Sequence, residues 1–286
     1  MKNKHIPVLL LVLALLLTAC SQTQEDTGGW ELDKNLYTTV IQESGENDST
    51  LKYLEIAERS VELFRLLEEN VGAFVMDAYN YQDIDGEGTP LYTMNGMDYP
   101  QEIDPAGQSI RVSRNYFLYN PIETADGNDL VSQIVYDDLT LNLLVPEKYR
   151  DLEDQIVEAY RENFYFEKVQ AENDYNQDAG IDEVLEILDE DLYIHIIYVK
   201  DGQRYFTLRS DCAVLTDQWI EDPIVVIYTS NIHCNYAHSF LSQWVYFPSD
   251  KGSEAEAFAE IQPYVQQCAA EASFQRVRAV YEKNAR

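Results

Sequence analysis

Apolar side chains along the chain alternate between two spacings, and each change of spacing marks an element. Leu54, Ala57, Val61, Phe64 and Leu67 recur at three- and four-residue steps with charges opposite, the stripe of an amphipathic helix. Ser49 or Thr50 is placed to cap it, and Asn70 and Gly72 are stop signals. Residues 73–81 (AFVMDAYNY) and the shorter 91–94 then read as strands, and residues 110–119 (IRVSRNYFLY) as extended chain. Residues 139–145 (LTLNLLV) predict a strand that Pro146 ends. A helix follows from Pro146 or Glu147 to about Phe164, with Tyr149, Leu152, Ile156, Ala159 and Tyr160 on one side.

Beyond it, residues 164–169 read as a strand and residues 181–188 as a short acidic helix. Residues 191–199 and 205–209 predict a hairpin across Lys200-Asp201-Gly202-Gln203, because Asp-Gly is a strong turn signal. Residues 224–229 (IVVIYT) form an apolar strand suited to the middle of a sheet, and residues 239–244 suit a helix. A long C-terminal helix is expected from about Ser253 to the end, bent or broken at Pro263. Helices and strands are mixed without strict alternation, so the expected class is α+β, a mixed sheet with flanking helices. Residues 49–286 read as one domain, with a soft sub-boundary near 124–130 or 95–108.

The first residues change the setting. A basic start (Met1-Lys2-Asn3-Lys4) precedes an apolar run at 6–17 and the small residues Thr18 and Ala19 before Cys20. This is the pattern of a secretory signal, too short for a comfortable membrane span. Leu17-Thr18-Ala19-Cys20 resembles the lipobox of bacterial lipoproteins, which implies cleavage before Cys20 and lipid on its thiol. The expected location is the extracellular face of the cell membrane, with Cys20 as the anchor. Residues 20–48 are polar, with Gly28-Gly29 and Glu46-Asn47-Asp48, and read as a flexible tether. Such a coil would reach ~30 Å.

Composition narrows the partners. The formal net charge is −31, and loss of Lys2 and Lys4 with the signal makes it more negative. Polyanions are repelled, so nucleic acid is excluded and cations or cationic peptides are favoured. Hydrophobic residues at 45%, with 21 Tyr and 10 Phe, suffice for a core. Besides Cys20 there are Cys212, Cys234 and Cys268. Three allow one intramolecular bridge at most, and Cys212 with Cys234 is the pair that flanks a predicted strand. All three also suit small buried apolar positions.

Four segments share a pattern with a known family: residues 110–122 (IRVSRNYFLYNPI), 141–169 (LNLLVPEKYRDLEDQIVEAYRENFYFEKV), 194–206 (IHIIYVKDGQRYF) and 222–229 (DPIVVIYT). Together with the helix and strand at 51–81, they resemble the extracellular part of bacteriocin-associated integral membrane proteins. These are FtsX-like permeases of Gram-positive bacteria, thought to act with an ATPase in export or immunity. The resemblance covers roughly residues 50–285, with LVPEKY and DPIVVIYT its most specific pieces. Membrane helices flank that region in the family and have no counterpart here. The resemblance therefore implies a detached extracellular module that assists, senses for or competes with such a transporter. It supplies no catalytic residues.

Candidate chemistry is sparse. Asp83, Asp85 and Glu87 with Gly86 and Gly88 suggest a calcium loop. The frame fails, because a glycine at position six puts Tyr92 or Met94 at position twelve. His233, Cys234, His238 and Cys212 include zinc-type ligands at no standard spacing. Ser49 and Lys52 have a serine–lysine spacing without its companion motifs. His195 lies in an alternating strand, a poor basis for a triad. No phosphate or dinucleotide fingerprint occurs, so no metal or cofactor is assigned. Trp30, Trp219, Trp244 and the tyrosines suit either a core or a sugar- or peptide-binding surface. The expected function is that of a non-enzymatic, surface-anchored accessory or binding lipoprotein beside a bacteriocin-type transporter. The alternatives are a solute- or cell-wall-glycan-binding lipoprotein and an envelope hydrolase.

Overall fold

The computed structural model describes residues 35–42, 49–82 and 98–280. Within them the order is β1 (Leu36–Ile41), α1 (Thr50–Val71), β2 (Phe74–Asp77), β3 (Ser109–Val112), β4 (Thr140–Pro146), α2 (Glu153–Tyr165), α3 (Ala171–Ala179), β5 (Tyr193–Val199), β6 (Arg204–Phe206), β7 (Trp219–Glu221), β8 (Ile224–Ile227), α4 (Cys234–Leu241), β9 (Val245–Pro248), α5 (Glu254–Gln267) and β10 (Phe274–Ala279). A π-helical turn, Phe166–Gln170, joins α2 to α3 without a break. The class is α+β, with a mixed sheet and flanking helices.

Eight strands form the main sheet in the order β10-β1-β9-β2-β3-β8-β4-β5, and β6 pairs with β7 separately. β3–β8 and β4–β5 are parallel; the other neighbours are antiparallel. All four residues of β8 are buried, as expected of a strand covered on both faces. Leu141, Leu143, Val145, Ile224 and Val226 meet Ile156, Ala159, Tyr160 and Phe164 of α2 on one face. The opposite face, with Ile110, Val112, Leu144 and Val225, packs on Tyr116, Phe117, Tyr205 and Phe206. Strands from either side of residues 124–130 interleave in this sheet, so no boundary falls there.

α1 starts where Ser49 accepts the Lys52 N–H and ends at Gly72, whose φ of 73° is the left-handed cap glycine tolerates. Ser49 is thus a cap and not half of a serine–lysine pair. β4 closes at Pro146 as expected.

Several expectations are corrected. The tether reading fails at Leu36–Ile41, a buried strand paired with β10 and β9. The long C-terminal helix is not formed: α5 stops at Gln267, Ala269 takes a φ of 51°, and the chain turns into β10. Pro263 sits inside α5 without ending it. Residues 164–169 are helical, not a strand, since the π-turn continues α2. The strand expected over 110–119 ends at Val112 and gives way to a 3-10 turn, Arg114–Leu118. No helix forms at 181–188, where Asn173 and Asn176 hydrogen-bond the backbone of Leu185 and Glu183. The turn at Gly202 is present, but β5 pairs with β4 and β6 leaves for β7, so there is no hairpin. The helix expected over 239–244 lies earlier, at Cys234–Leu241.

α1 and α4 are joined by a buried polar contact. The Ser60 hydroxyl donates to the Ile56 carbonyl, leaving its oxygen to accept from His238 Nδ1 at 2.9 Å. His238 Nε2 is then a bare acceptor, fully buried and without a partner among the described residues. Burial lowers the His238 pKa to about 4. A base whose folded pKa is depressed keeps its stabilisation above the unfolded value, near 6.5, and loses it as the pH falls. Wild-type protein should therefore lose on the order of 3 kcal/mol between pH 6.5 and 4 relative to His238→Gln, which cannot titrate. Urea unfolding at both pH values checks this, and parallel curves for the two proteins would refute it.

Candidate functional site

The helical layer leaves a cleft of about 310 Å³ at the end of the sheet where β4 begins and β8 ends. Four segments build it. The first turns of α1 supply Leu51, Leu54, Glu55 and Glu58. Asp138 approaches from the chain entering β4, and Lys168 from the π-turn. α3 and the segment after it add Glu172, Asn176, Ile181 and Leu185. The loop leaving β8 closes it with Ser230 to Cys234.

Lining charge is four carboxylates against one lysine. Lys168 is held by Asp138 at 2.9 Å and by the Asn231 carbonyl at 3.0 Å. Glu55 lies 3.5 Å from Lys52 and 3.6 Å from Arg59. Among the described residues, Glu58 and Glu172 have no lysine or arginine within ion-pair distance, so they carry the uncompensated charge. Leu51, Leu54, Ile181, Leu185 and Ile232 give the same cleft an apolar wall. Asn231, 4% exposed, donates through Nδ2 to the Thr140 carbonyl while its Oδ1 has no partner among the described residues. Such a lining suits a long cationic side chain, with its stem on leucines and its head among acceptors.

His233 caps α4, accepting the Asn235 N–H at Nδ1. Its Nε2 lies 3.6 Å from Glu172 and 3.8 Å from Cys234 Sγ, and its ring stacks on Tyr175. Burial lowers the His233 pKa, with Glu172 opposing. Burial, aided by Glu58 and Glu172, raises the Cys234 thiol to about 12. At neutral pH the pair is a neutral imidazole beside a neutral thiol. That is the reverse of an activated cysteine, which needs a depressed pKa.

The other singled-out residues do not join this site. Cys20, the 83–89 turn and Trp30 lie outside the described residues. Cys212 and Cys268 are buried, and among the described residues no disulfide joins Cys212, Cys234 or Cys268. His238 and His233 face different partners, and no three metal-type ligands converge among the described residues. His195 Nε2 meets the Gln133 carbonyl on the opposite face of the sheet. Trp244 stacks under Arg209 at 3.5 Å and Trp219 against Phe206, so neither lines the cleft. Sequence reasoning missed Glu58, Lys168, Glu172 and Asn231. For Glu58, Lys168 and Glu172 the signal was a polar helix face, and charge abounds on α1, α2, α3 and α5; Asn231 sits in a loop and gave none.

No family model, curated protein or solved structure matches the chain. Among the described residues, no helix is long and apolar enough to cross a membrane.

The cleft electrostatics can be read at His233. Its ring should titrate below the usual histidine value in an NMR pH series, and Glu172→Gln should move it lower still, because the carboxylate favours the protonated ring. An unchanged or higher value in Glu172→Gln would mean that Glu172 does not face the imidazole.

Proposed function

We propose that this chain is a lipid-anchored, non-enzymatic binding module on the outer face of the cell membrane, held there through Cys20. It binds cationic peptide segments in the acidic cleft and works beside an FtsX-like, bacteriocin-type transporter. The observation that carries the reading is the cleft itself, with Glu58 and Glu172 uncompensated beside a leucine and isoleucine wall. The strongly negative chain, at −31, attracts the same partners from a distance. The lipobox-like Leu17-Thr18-Ala19-Cys20 supports the anchor, and the four family-like segments support the transporter setting. A protonated Cys234 thiol beside a neutral His233 favours binding over hydrolysis. Trp219 and Trp244 lie outside the cleft lining, which favours a peptide over a glycan as its ligand.

A peptide alternating lysine and leucine should bind the purified protein in calorimetric titration. Its affinity should fall as salt rises from 0.05 to 0.3 M, because the Debye length shrinks from about 14 Å to about 6 Å. Glu58→Gln combined with Glu172→Gln should weaken binding about tenfold or more. Binding that ignores both salt and the double variant would sink the cleft reading. The anchor is checked separately by detergent-phase partition from the native cells. Wild type is expected in the detergent phase and Cys20→Ala outside it; equal partition would remove the lipid from the account.

A further inference from the structure

A second cleft of about 340 Å³ opens on the same face of the sheet, on the far side of the π-turn from the acidic one. Its floor is set by strand register. Asp77 of β2 and Arg111 of β3 are direct cross-strand partners, so both side chains leave the same face. Arg111 Nη2 contacts both oxygens of Glu167 at 2.7 Å, and its guanidinium carbon lies 4.7 Å from the Phe240 ring centre. The guanidinium is thereby fixed in place. Its Nε and Nη1 meet no acceptor among the described residues. Asp77 Oδ1 accepts the Tyr79 N–H, and its Oδ2 meets no donor among them. The cleft thus presents an anchored donor edge beside an anionic acceptor.

Two formal negative charges against one positive line this cleft, Asp77 and Glu167 against Arg111. A phosphate or bare carboxylate would face net repulsion. A bare ammonium would satisfy Asp77 and leave the Arg111 edge without an acceptor, at the cost that unmade buried hydrogen bonds carry. A ligand with an ammonium one carbon from a carbonyl or carboxylate oxygen satisfies both at once. The volume is at the small end of ligand sites, and Pro105, Val226 and Phe240 offer an apolar wall for a side chain. We infer that this cleft binds an α-amino group with its adjacent carbonyl, the head shared by free amino acids and peptide amino termini. Burial raises the Asp77 pKa against the field of Arg111, and a bound ammonium would offset that desolvation. This inference does not depend on the reading of the acidic cleft.

Calorimetric titration of the purified protein with leucine, leucyl-glycyl-glycine, N-acetylleucine and isopentylamine tests it. Leucine or leucyl-glycyl-glycine should bind saturably, and whichever binds identifies the source as a free amino acid or a peptide terminus. N-acetylleucine and isopentylamine each lack one half of the head and should bind about tenfold or more weakly. Asp77→Asn keeps the side-chain shape and removes the charge. It should cost a similar factor while the thermal midpoint and the lysine–leucine peptide titration stay unchanged. Tyr193→Phe, exposed on β5 and outside this cleft, should bind like wild type. No binding of either α-amino probe, equal binding of the acetylated or decarboxylated analogue, or unchanged affinity in Asp77→Asn would overturn the inference.

Discussion

Beside the apolar packing of α2, one buried ion pair ties the helical layer to the sheet, and the turn that carries it borders both clefts. A guanidinium on the floor of a covered sheet is tolerable only where an anion meets it with good geometry. Glu167 does so, reaching Arg111 with both carboxylate oxygens. The carboxylate arrives there because the helix loosens into a π-turn at Phe166–Gln170, a distortion common at functional sites. The next residue, Lys168, turns to Asp138 and the Asn231 carbonyl instead. The Glu167 carbonyl accepts the His233 N–H. One turn therefore ties β3, the entry to β4 and the loop after β8, and it forms the wall between the two clefts.

Legibility in the sequence followed the range of the forces involved. α1 was readable end to end, because its stripe, the Ser49 cap and the Gly72 stop are all local. β8 and β4 were readable because strands buried on both faces are mainly apolar, and Pro146 closes β4 within its own segment. β1 was hidden. Its residues, LYTTVI, suit a strand, but its partners Val245–Pro248 and Phe274–Ala279 lie some two hundred residues away, and polar flanks gave it the look of a tether. Residues 181–188 carry a helical spacing that the side chains of Asn173 and Asn176 override by taking the backbone groups a helix would need. The aromatic run at 164–169 reads as a strand by composition, yet an unbroken helix on either side of it wins.

The sites were less legible than the fold, for a related reason. Glu58, Glu172 and Asn231 are each unremarkable in their own segment, and only the packing of α1, α3 and the 230–234 loop brings them together. Asp77 and Arg111 become a pair only through the register of β2 on β3. Of the histidines and cysteines, which drew notice by type, His233 and Cys234 line the acidic cleft, whereas His238 goes to the α1–α4 contact and Cys212 to the interior. Residue type marks chemistry that is self-contained at short range. It does not mark a site whose character is the absence of a compensating partner.

That absence inside a concave wall is what separates the clefts from the rest of an acidic surface. On α1, Arg65 bridges Glu62 and Glu69, so these two carboxylates share a cation within the helix. A balanced pair projects little field beyond its own diameter, and salt screens what remains. The long-range attraction of the chain for cations comes from its total charge, whereas selectivity must come from carboxylates that lack a basic neighbour and are also held in a concave wall. Glu58 and Glu172 meet that condition inside a concave, partly apolar wall, where screening is weakest. Asp77 meets it in a different way, since its cross-strand neighbour Arg111 is already bound to Glu167. A ligand that binds either cleft therefore completes an electrostatic arrangement the fold leaves unfinished, and it must bring a positive charge to do so.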